Sequence, residues 1–376
     1  MINIKKIGST ALVGSLAAVS AYAGELAVTG NATVSYSHGG SSMSVNTTDV
    51  GTIDDQASIG HNTALNFVGK GELDNGWTFV MAVSGQDNMA AGQTSSYTSM
   101  TMGSLGTLTT GLHTGGASSK YDEEVPQAYE QASDALHGGS SSSNKIGDQL
   151  DSAAILYNSP EFDVMGATVS FDVDYSPQAN DSGATDGGQQ AADHTTGAGT
   201  GLGVTIKMDG VQFGAYGAEI ENTTNATTAT AVSNERDSSE YVAYVKYAMG
   251  PLALGVSRSY LDSGQNTAGS AATNGKTLRT AGGYFENDQM SVAYNVNDAL
   301  SVSFTRSVDT YNGAPTRTVA AAMTDYNTDT TTNSVQAAYS MGAMSIKAYR
   351  MDVKNPGYDS DAETMNVTEV ALGLAF

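Results

Sequence analysis

The chain has 376 residues, no cysteine, one tryptophan, and 39 acidic against 16 basic side chains, for a formal charge of −23 at pH 7. That balance repels nucleic-acid phosphates and excludes a nucleic-acid-binding function, and the missing cysteine excludes a disulfide-stapled secreted scaffold. The 43 glycines and 19 tyrosines, with Thr, Ser and Val in short alternating runs, favour strands over helices.

At the N-terminus, Lys5 and Lys6 precede an apolar stretch from Ile7 to Val19 and the small-x-small pattern Ala21-Tyr22-Ala23. These three parts predict a secretory signal peptide over residues 1–23, too short in its apolar part to span a bilayer as a helix. Residues 24–376 then form one domain, and loss of Lys5 and Lys6 leaves 14 basic against 39 acidic residues, a charge of −25.

Period-two alternation follows along the whole domain. Leu26, Val28, Gly30, Ala32, Val34 and Tyr36 share one strand face, and His61, Thr63, Leu65 and Phe67 share the next. Asp74-Asn75-Gly76, with hairpin chemistry, leads to Trp77, Phe79, Met81 and Val83. Met100, Leu108, Tyr157, Phe171 and Val173 continue the pattern, and Asp209-Gly210 joins Val204 and Ile206 to Val211 and Phe213. In the second half Tyr241, Val245 and Tyr247 turn at residues 249–251 into Leu254 and Val256. One strand is read over residues 278–295, and Asn297-Asp298 turns into Val302 and Phe304. Gly342-Ala343 joins Tyr339 to Ile346, and Thr368, Val370, Leu372, Leu374 and Phe376 close the set. A strand that places an apolar row toward an aromatic end matches a lipid-facing strand with its ring at the interface.

This pattern predicts sixteen strands. Short turns are expected at 72–76, 104–106, 159–165, 209–210, 249–251, 296–298 and 342–343. Long polar segments are expected at 38–56, 114–150, 177–198, 221–238, 262–276, 309–332 and 353–363, with a shorter one at 88–95. Short and long connections on opposite ends of the strands predict an all-β fold, a sixteen-stranded antiparallel transmembrane barrel. A soluble sandwich gives no reason for such segregation.

Two segments carry a family resemblance. Gly103-Ser104-Leu105-Gly106-Thr107-Leu108-Thr109-Thr110-Gly111 resembles the Gly-rich turn before the third loop of Gram-negative general porins. Tyr157-Asn158-Ser159-Pro160-Glu161-Phe162 is similar to the turn that follows that loop. With the signal peptide and Phe376 in the same order, the resemblance covers essentially the whole domain and is closest to the sixteen-stranded, Rhodobacter-type porins. It implies a homotrimer in the outer membrane of a Gram-negative bacterium, with outer-membrane lipid and the barrel-insertion machinery as partners. Phe376 would be read as the insertion signal. Segment 114–150 would fold inward and narrow the pore. The family often carries Arg soon after the last Gly of the first motif, whereas Leu112-His113 follow here.

The inward segment holds Asp122, Glu123, Glu124, Glu130 and Asp134, the expected acidic side of the constriction. Barrel parity points Lys70, His113, Lys207, Lys246, Arg279 and Lys347 into the lumen as an opposing basic wall, and a transverse field would then cross the narrow point. No HExxH, P-loop or G-x-S-x-G with a placed His occurs, so no enzymatic activity and no catalytic residue is expected, and five His give no metal cluster. No cofactor is expected, with Ca²⁺ at the acidic loops as the one candidate. The reading is a water-filled channel for small hydrophilic solutes, weakly cation-favouring. The alternatives are a substrate-specific outer-membrane channel or a secreted all-β structural protein.

Overall fold

The computed structural model describes residues 25–41, 53–86, 95–112, 116–122, 124–132, 150, 154–177, 179, 196–222, 237–262, 264, 283–313, 329–356 and 364–376. The expected signal peptide lies outside them. Seventeen strand segments make one antiparallel sheet: β1 (Glu25–Ser41), β2 (Ile53–Glu72), β3 (Thr78–Gln86), β4 (Ser95–Thr101), β5 (Thr107–Leu112), β6 (Ala154–Asn158), β7 (Phe162–Val164), β8 (Ala167–Ser176), β9 (Thr196–Met208), β10 (Val211–Asn222), β11 (Ser238–Met249), β12 (Leu252–Asp262), β13 (Gly283–Asn295), β14 (Leu300–Gly313), β15 (Asp329–Met341), β16 (Met344–Lys354) and β17 (Met365–Ala375).

β6 and β7 both pair with β8 and are two halves of one strand, so the barrel has sixteen strands, as the alternation predicts. It closes through β1, which pairs with β2 on one side and β17 on the other. Closure leaves no sheet edge and satisfies the backbone across strands, as a membrane requires. Phe376 completes the seam. Its N–H donates to Gly30 O at 3.0 Å, and the Gly30 N–H donates to Phe376 O at 3.1 Å.

Two turns follow their sequence closely. Asp209 and Gly210 adopt φ of 42° and 86°, the left-handed pair that a two-residue hairpin needs. Asn75 Oδ1 accepts from the Trp77 N–H at 3.1 Å, and Gly76 sits at φ 79°. Residues 159–165 differ from expectation. Pro160 lacks a donor and breaks the strand without turning it; Ser159 bridges the gap, its N–H donating to Phe171 O and its Oγ accepting from the Phe171 N–H, both at 2.8 Å. The chain resumes as β7 and turns at Met165-Gly166 (φ 53° and 84°). The strand read from residue 278 is described from Gly283. Two long segments, 38–56 and 309–332, are shorter than expected at both ends, because β1 and β2 extend into the first and β14 and β15 into the second.

Alternation sorts the side chains. In β11, Tyr241, Val245 and Tyr247 are exposed while Glu240, Val242 and Tyr244 are buried; in β12, Leu254 and Val256 are exposed while Ala253 and Ser259 are buried. A folded chain in water does not leave such apolar rows uncovered; hydrocarbon covers them here. Aromatics border the band, with Tyr241, Tyr260 and Tyr284 in successive contact (6.2 and 5.4 Å between ring centroids) toward the long-loop end and Tyr247, Tyr294 and Tyr339 toward the short turns.

Candidate functional site

The inner face is occupied by residues 116–122 and 124–132. They begin beside β8, where the Ala117 N–H donates to Asp174 Oδ2 at 2.8 Å. Lys120 Nζ follows at 2.5 Å from Asp172 Oδ2, and the Tyr121 hydroxyl donates to the same oxygen. Tyr121 has no exposed surface and stacks on Tyr216 of β10, centroids 5.5 Å apart. Glu124 pairs with Lys246 of β11. The Ala128 N–H donates to Ser303 Oγ of β14 at 2.9 Å. Gln336 of β15 accepts from the Tyr129 and Glu130 N–H groups at 2.8 and 3.1 Å and donates back to Glu130 O at 2.5 Å. The Tyr129 hydroxyl donates to Glu369 of β17 at 2.6 Å. The segment is thus a strap along the inner wall from β8 to β17.

Missing side chains make room for it. A Cβ on Gly203 would lie 2.4 Å from the Tyr121 ring, and one on Gly255 would lie 2.3 Å from Pro126 Cδ. The two resemblance motifs hold its ends. β5 pairs with β6 directly, and a Cβ on Gly106 would meet Asn158 O at 2.4 Å. Asn158 Nδ2 then donates to Asp172 Oδ1 at 2.6 Å. Burial first, and then the hydrogen bond to a carboxylate, push the hydroxyls of Tyr121 (Asp172) and Tyr129 (Glu369) well above the usual tyrosine range. Both stay protonated and act as donors.

Of the acidic residues expected at the constriction, Asp122 and Glu130 are half-buried on the strap, and Glu124 is 7% exposed under it. Glu123 and Asp134 lie outside the described residues, as do His113 and Arg279 of the expected basic wall. Lys246 and Lys347 lie on the strap's own side, Lys347 5.1 Å from the Tyr129 ring. Lys207 binds Glu161 at 2.6 Å near the short turns, and Lys70 stands opposite Glu25 in register, at the same end. The inner face of β1 to β5 above these ends carries Thr29, Asn31, Thr33, Asn62, Asn66, Ser84 and Ser99, with Ser84 Oγ donating to Asn66 Oδ1 at 2.6 Å. The described wall across from the strap is therefore polar and uncharged, not basic.

Sequence reasoning passed over Asp172, Asp174, Tyr121, Tyr129, Gln336 and Glu369. Asp172 and Asp174 alternate with the outward Phe171 and Val173, and Gly199, Gly201 and Gly203 leave one strand face bare. Both patterns announce an inward contact. Among the described residues no group of three or more His, Asp or Glu could hold a metal ion.

A closed sixteen-stranded barrel, apolar outside, polar inside and narrowed by an inward strap, is a transmembrane diffusion channel. The chain matches a family model described as Gram-negative porin over residues 8–372 and belongs to that family. It is an outer-membrane channel for passive diffusion. Its fold is similar to that of an OmpF from Salmonella typhi in complex with daunomycin (11% identity, 94% of this chain and 98% of that one, TM-score 0.64). It is also similar to an anion-selective porin from Comamonas acidovorans (13%, 94% and 100%, 0.61) and to a porin refined at 1.8 Å resolution (13%, 94% and 100%, 0.58). No functionally curated protein matches the sequence.

Proposed function

We propose that the channel passes small hydrophilic solutes without catalysis or a bound cofactor and favours cations. The observation that carries this is the state of the lumen lysines. Lys120, Lys207 and Lys246 each touch a carboxylate, Lys70 faces Glu25, and Lys347 feels Glu130. Further carboxylates, Asp174, Glu240, Asp309 and Glu369, share that inner face. The described inward lysines are neutralised while negative charge remains, which raises the local cation concentration. This is opposite in sign to the anion-selective fold relative. Asp122, Glu123, Glu130 and Asp134 supply the acidic side of the constriction, and Glu124 acts by cancelling Lys246.

The test is reversal potential in a low-salt KCl gradient for the combined variant Glu123→Gln, Glu124→Gln, Glu130→Gln. Neutralising Glu124 also uncovers the Lys246 charge, so the potential moves toward the anion value. An unchanged potential would remove these residues from the constriction.

We also propose a homotrimer with its contact on β1 to β5 and β17. The outward residues Ala32, Thr63, Gly69 and Thr98 are small and allow close approach; Gly30 and Gly71 are covered by the rings of Phe376 and Phe79, and Ala82 faces inward and takes no part. A groove of ≈ 510 Å³ beside Ala32, Leu65 and Phe376 marks the same surface.

A further inference from the structure

We propose that the free edge of β7, on the periplasmic side of the barrel, takes up an extended peptide strand of alternating apolar and basic residues from a periplasmic partner. β5 pairs with β6 as far as Asn158. The chain then runs on to Val164, pairs with β8 alone and turns at Met165-Gly166. Asn158 to Val164 is roughly 20 Å of strand, and among the described residues no strand pairs with the other side of β7. Val164 and Ala167 flank the two-residue turn and exchange hydrogen bonds. Alternate residues bond to alternate sides, so Asp163 turns its N–H and C=O to the open side. Such an edge is a template for one further strand.

The hairpin stands beyond the lipid. One row of the sheet runs Asp163, Thr168, Lys207, Gln212, Lys246, ending beside the girdle residue Tyr247. Rows climb toward the long loops as strand number rises: Leu300, first in β14, meets Tyr339, two residues inside the end of β15. Four strand spacings make roughly 19 Å. At the usual strand tilt that sets Asp163 roughly 12 Å to the periplasmic side of Lys246, past a headgroup layer of roughly 5–7 Å.

The two faces define the partner. Phe162, Val164 and Met165 are exposed, Met165 completely. Met165 also holds a left-handed backbone, φ 53°, that Asn would adopt with less strain. A strained apolar tip standing in water marks a contact. On the other face Glu161 is matched by Lys207 at 2.6 Å, while Asp163 is exposed and meets the Gly166 N–H at 3.3 Å. A strand beside β7 therefore needs apolar side chains against Phe162 and Val164 and a Lys or Arg against Asp163.

The test uses the purified full-length barrel in non-ionic detergent and a short fluorescent peptide of alternating Val and Lys, read by anisotropy. Wild type binds it. A Val-Glu peptide, and the Val-Lys peptide with a central Pro, bind about tenfold more weakly. Asp163→Lys lowers affinity about tenfold, whereas Asp298→Lys, the same charge change on another exposed short turn, leaves it as in wild type. Met165→Asn favours the turn but removes the apolar tip, so its several-fold loss of affinity is not a loss of fold. Glu130→Gln, on the strap, binds as wild type does, which keeps this outcome separate from cation attraction into the lumen. Equal binding by Asp163→Lys, equal binding of the Val-Glu peptide, or a loss confined to Glu130→Gln overturns the proposal.

Discussion

Asp172 has no exposed surface and yet meets three donors: Asn158 Nδ2, Lys120 Nζ and the Tyr121 hydroxyl. One carboxylate thus ties the second sequence motif to the start of the strap. Replacing it by Ala leaves the Tyr121 hydroxyl buried without its acceptor, at about 1–3 kcal/mol, while the half-exposed Lys120 regains water. Asp172→Ala is therefore expected to loosen the strap and leave the barrel standing: larger, noisier single-channel conductance with unchanged heat-modifiability on gels. The tyrosine gives a pH signature. Its folded pKa is raised, so the anchor is intact below the ordinary tyrosine range of about 10 and is lost as pH rises through the still higher folded value. Conductance of the wild type stays level from pH 6 to 9 and rises only at strongly alkaline pH. Tyr121→Phe, which cannot ionise, lacks the component of that rise due to this ring.

At the scale of elements, the bare faces and the seam govern assembly. Gly203→Leu would drive a side chain into the ring of Tyr121, already 2.4 Å from the position of a Cβ. The strap must leave the wall, and solute flux in liposome swelling rises several-fold. Gly30→Val would strike the Phe376 ring, 2.8 Å from the Cβ position. It should lower the yield of inserted barrel together with Phe376→Asp, and more than Phe162→Asp does. Equal yields from all three would deny the seam a special place. Much of this level was legible in the sequence. Asp209-Gly210 and Asp74-Asn75-Gly76 turn where their chemistry says, because a hairpin turn is a local matter. Residues 159–165 were read as one turn, but only Met165-Gly166 turns; at Pro160 the strand merely breaks, since Ser159 holds Phe171 with its own N–H as donor and its Oγ as acceptor. The strap's footing was not legible. Tyr129 and Glu369 are 240 positions apart, and no alternation pattern says which inward residues meet across a lumen.

For the whole molecule, the lysines decide how the charge acts. Parity reasoning placed Lys246 and Lys347 inward and inferred a basic wall facing an acidic loop; the structure sets both lysines beneath that loop instead. On the proposed reading the net field across the described narrow region has one sign and not two. An acidic lumen of this kind is screened by salt, because the Debye length shrinks from about 10 Å at 0.1 M to about 3 Å at 1 M. The proposed trimer contact on β1 to β5 and β17 would show as a three-chain mass in mild detergent, and a single-chain mass would contradict it. The most direct measurement is the reversal potential of the wild-type channel in planar bilayers across a KCl gradient. A cation-favouring potential at low salt that collapses toward zero near 1 M is the predicted result. An anion-favouring potential, or one that does not change with salt, would contradict it.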